Sequence, residues 1–268
     1  TINALYDCIP TTKLDILSAD ICATKAHHYP DYNKLGGRIL ASNIAKSTET
    51  DYIALVKRLH EKQQLSDVFY EFVIKYGEQI SEMFDYSRDY LFDYFAIKTL
   101  ERSYLFRIDD AIVERPQHMW MRVAIQIHGC LPTSDEQSLE KVKETYDYLS
   151  NLYFTHATPT LFNSGTNRPQ LSSCFLYSSA DNIDTIFKTI SDTAKISKWA
   201  GGIGMSLSNI RAKGSRIRGT NGKSEGIIPL CKVLESVGRY INQGGKGFNN
   251  VVSSDLLISP RGTLYSAQ

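Results

Sequence analysis

Cysteine is scarce and scattered in this chain of 268 residues. The five thiols, Cys8, Cys22, Cys130, Cys174 and Cys231, are odd in number and never form a Cys-x-x-Cys pair. That pattern argues against a disulfide framework and against a zinc knuckle. No other metal-ligand spacing stands out. A reducing, cytoplasmic setting fits best, and burial as free, packed thiols is the default expectation for most of them. Charge of one sign is also missing: 30 Lys and Arg face 29 Asp and Glu, a formal net charge of +1. No global field draws nucleic acid or an acidic membrane to such a chain. Any phosphate ligand must be held by local groups. No apolar run approaches the roughly eighteen residues of a membrane span. No charged-then-apolar leader with a cleavage site is seen. Repeats and low-complexity tracts are lacking too. The first residue is Thr1, so an upstream segment is expected to be missing.

What is present reads as a helical half followed by a strand–helix–strand half, with a boundary near Phe154. Thr11 or Thr12 could cap a first helix carrying Leu14, Leu17 and Ile21. His28-Tyr29-Pro30-Asp31 interrupts it, and a second helix follows with Leu35, Ile39 and Ile44 inward. Helices are expected over 51–59, 66–76 and 93–105. Residues 86–94 are dense in Tyr and Phe, and Arg115-Pro116 breaks the chain before an apolar stretch, 119–128. Residues 136–154 give the clearest amphipathic helix, with Leu139, Val142, Tyr146, Leu149 and Tyr153 in step. Thr158-Pro159 and Asn163-Ser164-Gly165 are turn chemistry. Residues 171–177 look like a buried strand. Asp181 stands at an N-cap position before a helix carrying Ile183, Ile186, Ile190 and Ala194. Gly201-Gly202 stops that helix, and Ile203, Met205 and Leu207 then alternate with small residues as a half-buried strand does. Gly214, Gly219 and Gly222 mark a loop, and 227–241 is a last helix.

Several groups could carry chemistry. Cys174 beside Ser172 and Ser173 is either a packed thiol or a redox thiol, and a two-electron product needs a second thiol. The run Trp199-Ala200-Gly201-Gly202-Ile203-Gly204 is either a helix stop or a close backbone approach to a ligand. It is not a phosphate-binding loop of the Lys-Ser/Thr type, nor a dinucleotide fingerprint, because helix precedes it and strand follows. Asp181, Lys198, Arg211, Lys213, Arg216, Arg218 and Lys223 flank the same elements. They are either solvated loop charges or a triphosphate cradle. His156 is either a base or a structural histidine.

The string His156-Ala-Thr-Pro-Thr-Leu-Phe-Asn163, continued by Ser164-Gly-Thr-Asn-Arg-Pro-Gln-Leu-Ser-Ser-Cys174-Phe175, resembles the substrate-site segment of class I ribonucleotide reductase large subunits. The resemblance continues through Ala200-Gly-Gly-Ile-Gly204, Ile210-Arg211, Gly214-Ser215 and Gly219-Thr-Asn-Gly222. Upstream, Lys98-Thr-Leu-Glu-Arg-Ser-Tyr-Leu105, Glu114-Arg-Pro-Gln-His-Met119 and His28-Tyr-Pro-Asp-Tyr32 are similar too. Many blocks in order, from about Leu5 to Gly245, are far more specific than any one.

The resemblance implies a fold and a set of roles. Residues 1–46 would be the remnant of an ATP cone, 47–154 a helical domain, and 155–245 the start of a ten-stranded α/β barrel, here incomplete. Residues 246–268 form an unaligned tail. Cys174 would be one of two cysteines that reduce the substrate, a ribonucleoside diphosphate, and close to a disulfide. Thr158, Ser173 and Gly202 would hold that substrate. Asp181, Asn182, Ile183, Lys198, Arg211, Arg218 and Gly219 would bind the deoxynucleoside triphosphate effector of a specificity site. Thr11 and Asp15 match ATP-cone contacts, but the basic strand that opens the cone is absent, so ATP binding there is not expected. No cofactor would be bound directly. A metal-containing small subunit would supply the radical, thioredoxin or glutaredoxin would re-reduce the thiols, and two large subunits would form a homodimer. The radical-bearing cysteine and the partner of Cys174 would belong to a part of the barrel that this sequence does not contain, so the fragment alone is expected to be inactive. The other reading is a non-catalytic nucleotide-binding or dimerisation module.

Overall fold

The computed structural model describes residue 6 and residues 8–132, 136–198 and 201–241. The tail 246–268, and Trp199 and Ala200 of the glycine-rich run, lie outside the described residues. The chain forms two compact units, Thr1–Pro169 and Gln170–Gln268.

The first unit is helical. Its elements are α1 (Thr11–Lys25), α2 (Asp31–Ser47), α3 (Tyr52–Glu61), α4 (Asp67–Glu82), a 3₁₀ turn (Tyr86–Leu91), α5 (Tyr94–Ser103), strands β1 (Arg107–Ile108) and β2 (Ala111–Ile112), α6 (Pro116–His128), α7 (Glu136–Ser150) and the short α8 (Thr158–Asn163). Three of the helix starts follow from side-chain capping. The Asp51 carboxylate accepts from the Ile53 and Ala54 N–H groups, Ser66 from Phe69, and Asp93 from Ala96. Pro116 opens α6 rather than only breaking the chain, since proline lacks a donor that a first turn leaves unused. Thr11 and Thr12 do not cap α1; Pro10 holds the N-cap position, and no side chain bonds the first turn.

The core is built around α6, whose residues from Pro116 through Ile125 are all buried. An all-round buried helix is the centre of a bundle. Two of its buried polar side chains reach neighbours. Gln117 donates to Asp89 and accepts from Tyr146, while His118 Nε2 lies 3.0 Å from the Tyr86 hydroxyl. Gly37 lets α2 run against the backbone of Phe92 and Asp93, where a Cβ would overlap the Phe92 carbonyl.

Several details differ from the sequence reading. Leu35 of α2 is exposed while Leu40 and Ile44 are buried. Helix α7 ends at Ser150, so Tyr153 is 77 % exposed although Leu139, Val142, Tyr146 and Leu149 are buried as expected. Thr158-Pro159 starts a helix, with Pro159 in its first turn. The hairpin β1–β2 turns through Asp109 and Asp110, both at positive φ. Two such residues suit a tight hairpin turn, but the Asp-Asp pair lacks the glycine that signals one. The first unit runs past Phe154 to Pro169, because α8 and the residues after it are bonded to α6. The cysteines are free, and of the five only Cys22 is buried. Cys8 and Cys130 lie outside the helices, Cys174 is on an open strand face, and of the four that are not buried only Cys231 is helical.

The second unit is a β–α–β–loop–α arrangement: β3 (Cys174–Ser178), α9 (Ile183–Lys198), β4 (Gly202–Ser206) and α10 (Ile227–Tyr240). The two strands pair in parallel. Met205, Leu207 and Leu234 form its small core, with Tyr177, Ile190 and Leu230 against them. Half-buried Ile186, Ile190 and Ala194 share α9 with a buried Thr189, Thr193 and Ser197 stripe, and Ile183 is exposed.

Candidate functional site

Strands β3 and β4 pair so that Cys174 faces Gly202 across the ladder, followed by Phe175 with Ile203 and Leu176 with Gly204. The Gly202 N–H donates to the Ser173 carbonyl at 2.7 Å. The Ser173 hydroxyl lies 3.5 Å from the Cys174 sulfur. Three of the expected residues, Ser173, Cys174 and Gly202, thus meet at one end of the ladder. The thiol is exposed. It shares a strand face with Leu176, itself 87 % exposed. The expectation of a buried strand is therefore corrected: only the face carrying Tyr177 and Met205 is covered, by α9 and α10. An accessible thiol beside a hydroxyl can give up electrons and protons to a ligand, and can be regenerated by exchange.

A second cluster forms where β3 leads into α9. Asp181 was expected to cap α9, but Asn182 does so, its side-chain oxygen accepting from the Thr185 N–H at 2.9 Å. Asp181 is left to bind Arg211, with Nε donating to Oδ2 at 2.6 Å. Arg211 also donates to the carbonyl of Arg216 at 3.2 Å. That carbonyl belongs to a small hairpin. Ser224 donates to the Ser215 carbonyl and Ile217 to the Gly222 carbonyl, and Arg216 pairs with Lys223 in an isolated antiparallel bridge. Exposed Arg218 and Gly219 lie in the tip that the Ile217–Gly222 rung closes, Gly219 at φ 95°. Arg216 also donates to Asn221, and Lys213 lies 3.9 Å from Glu225. Lys198 is exposed at the far end of α9. One arginine thus ties the start of α9 to a basic hairpin. Several cations near the outward N–H groups of a helix start suit a polyanion.

Thr158 lies in the first unit, on α8. Its Oγ1 is 3.0 Å from the Tyr104 hydroxyl. The far end of α8 is held by Arg122, whose Nη1 donates to the Leu161 and Ser164 carbonyls at 3.1 and 2.8 Å. Glu114 receives the other guanidinium edge at 2.7 and 3.0 Å, and both side chains are 1 % exposed. The Phe106 ring stacks on the guanidinium at 3.8 Å. Glu114 and Arg122 were not singled out from sequence. A lone charge inside the apolar run 119–128 was the available signal, because a buried cation demands a partner. Thr158 also borders an aromatic-lined cavity of about 650 Å³, with Tyr104, Trp120, Phe154 and His156 in its wall. Burial lowers the His156 pKa, which favours the neutral ring, and among the described residues its buried Nε2 has no hydrogen-bond partner.

Thr11 is exposed in the first turn of α1, and Asp15 is paired with Lys46 of α2 at 2.8 Å. Among the described residues no group of three or more His, Cys, Asp or Glu side chains could hold a metal ion. None of the described helices is long and apolar enough to cross a membrane.

Two family profiles match this chain in succession. Residues 90–169 match the ribonucleotide reductase all-alpha domain and residues 172–247 the ribonucleotide reductase barrel domain. The chain is 48 % identical over 253 residues to a ribonucleoside-diphosphate reductase large chain of Cryptosporidium parvum, covering 91 % of this chain and 31 % of that protein. It is 46 % identical over 254 residues to the large chain of Schizosaccharomyces pombe, covering 91 % and 30 %. The large subunit of Variola virus is 45 % identical over 254 residues, covering 91 % and 32 %. The chain thus spans about a third of the length of these relatives.

Proposed function

This chain belongs to the ribonucleotide reductase large-subunit family, and on that premise we propose that it is part of a ribonucleoside-diphosphate reductase large subunit. The oxidoreductase would convert ribonucleoside diphosphates to deoxyribonucleotides for DNA synthesis. In balance, the 2′ C–OH becomes C–H, water leaves, and two thiols become one disulfide. Cys174 supplies one of those thiols; Ser173, Gly202 and Thr158 hold the diphosphate substrate. Asp181, Asn182, Ile183, Lys198, Arg211, Arg218 and Gly219 form the deoxynucleotide specificity site. A metal-containing small subunit supplies the radical, thioredoxin or glutaredoxin restores the thiols, and α9 faces a second large subunit in a homodimer. Residues 1–46, with Thr11 and Asp15, are the end of an ATP cone. The helical domain begins near residue 47 and runs to Pro169, and the residues from Gln170 to Gly245 open the barrel. The setting is cytoplasmic.

The observation that carries this reading is the exposed Cys174 thiol, set opposite Gly202 and beside the Ser173 hydroxyl. In the complete subunit, Cys174→Ser should abolish turnover with a thioredoxin-type reductant while effector binding persists. Full turnover in that variant would remove Cys174 from the chemistry.

The Asp181–Arg211 pair favours a second reading, a nucleotide-binding or dimerisation module without catalysis. Titration of this chain with deoxynucleoside triphosphates separates the two. Binding with no turnover in the complete subunit would select the module, and turnover there would select the reductase.

A further inference from the structure

We propose that Tyr104 and Arg122 are positioning residues that aim the Thr158 hydroxyl at the substrate. The inference rests on the reading of Thr158 as a substrate contact, and it adds residues that this reading does not include.

Helix α8 is too short to hold itself. Six residues give little more than one turn of hydrogen bonds, and isolated helices of that length do not persist. Its geometry must therefore come from outside, and it is held at both ends. At the start, the Tyr104 hydroxyl meets Thr158 Oγ1 at 3.0 Å. A threonine hydroxyl has a single proton, so this contact selects one rotor and fixes which lone pair or proton faces away. At the end, Arg122 donates to the Leu161 and Ser164 carbonyls. These are carbonyls that a helix terminus leaves without intrahelical donors.

The arginine is itself fixed. Both edges of its guanidinium are engaged, by Glu114 on one side and α8 on the other, with no solvent to loosen the arrangement. A planar guanidinium can serve both sides at once, whereas an ammonium cannot. Gln126, on the same helix as Arg122, accepts from the Gly165 N–H at 2.8 Å. Thr158 is thus referred to the central helix α6, the most deeply buried element of its unit. Buried ion pairs contribute little net stability compared with an apolar replacement. A pair that is kept buried while gripping the end of the turn that carries Thr158 fits precision of placement better than stability.

The test is a double-mutant cycle in the complete subunit, assembled with its radical-supplying partner and assayed with a ribonucleoside diphosphate. Tyr104→Phe removes one hydroxyl and leaves the ring, so it serves even if Arg122→Lys fails to fold. We expect Thr158→Ala to raise KM. Tyr104→Phe should raise KM about fivefold, the effect of one net hydrogen bond, with the melting temperature and kcat nearly unchanged. In the Thr158→Ala background Tyr104→Phe should add nothing, because the hydroxyl it orients is gone. Arg122→Lys should raise KM in the same non-additive way. Equal KM increases by Tyr104→Phe with and without Thr158, or none at all while Thr158→Ala is impaired, would overturn the positioning role alone. An unchanged KM in Thr158→Ala would strike the substrate reading of Thr158 itself, and the positioning role with it.

Discussion

Replacing Asp89 by Asn should stabilise the helical unit at neutral pH and do almost nothing in acid. Asp89 is 5 % exposed, and its Oδ1 accepts from Gln117 Nε2 at 3.0 Å. Burial raises its pKa from 3.8 to about 6, and the Gln117 hydrogen bond and the Arg115 charge offset this only in part. The folded state therefore holds this proton more tightly than the unfolded chain. The stability linked to it is fully present below about pH 4 and is lost as pH rises through about 6. A gap of about two pKa units corresponds to about 3 kcal/mol. Asn keeps the acceptor for Gln117 and cannot ionise. The variant should gain about 2–3 kcal/mol over the parent near pH 7.5 and about zero near pH 4. Urea unfolding followed by helical circular dichroism, at several pH values between these limits, measures the gap directly. Taking the difference between variant and parent cancels other groups. The main one is His118, whose pKa burial lowers to about 3 and whose own linkage costs stability as pH falls. Parallel stability curves for variant and parent would refute the reasoning.

Two further perturbations probe the same unit. Glu114→Gln should destabilise it by about 3–5 kcal/mol, because Arg122 is left as a buried cation with a neutral partner; a denaturation midpoint close to the parent's would contradict this. Gly165→Ala should cost about 1–2 kcal/mol, since φ is +79° there and a Cβ would sit 3.0 Å from Leu65 and 3.2 Å from Arg122. Thermal unfolding reports that loss, and an unchanged midpoint would show that the turn relaxes freely.

Period and punctuation made the helices legible in the sequence. Asp51, Ser66 and Asp93 cap where the pattern begins, and α7 carries its apolar stripe as expected. Three things escaped that logic. The Asp109-Asp110 turn carries no glycine, so the hairpin it closes gave no signal. Asp181 and Asn182 are both competent caps, and only the pull of Arg211 on Asp181 decides between them. Thr158-Pro159 reads as turn chemistry in the sequence, and contacts with Arg122 from far along the chain select a helix start instead. Of the candidate site, the ladder corner at Cys174 and the Asp181–Arg211 pair followed from the family resemblance. The buried supports behind Thr158 did not, because burial of a charge depends on the fold rather than on local pattern.

Cys174 and Leu176 project from the same side of one strand, and both are open to solvent. Any layer that shields the leucine must also close over the sulfur. The rate at which a small alkylating reagent reaches that sulfur therefore doubles as a gauge of assembly: brisk while the strand face is bare, slow once a neighbour has settled on it.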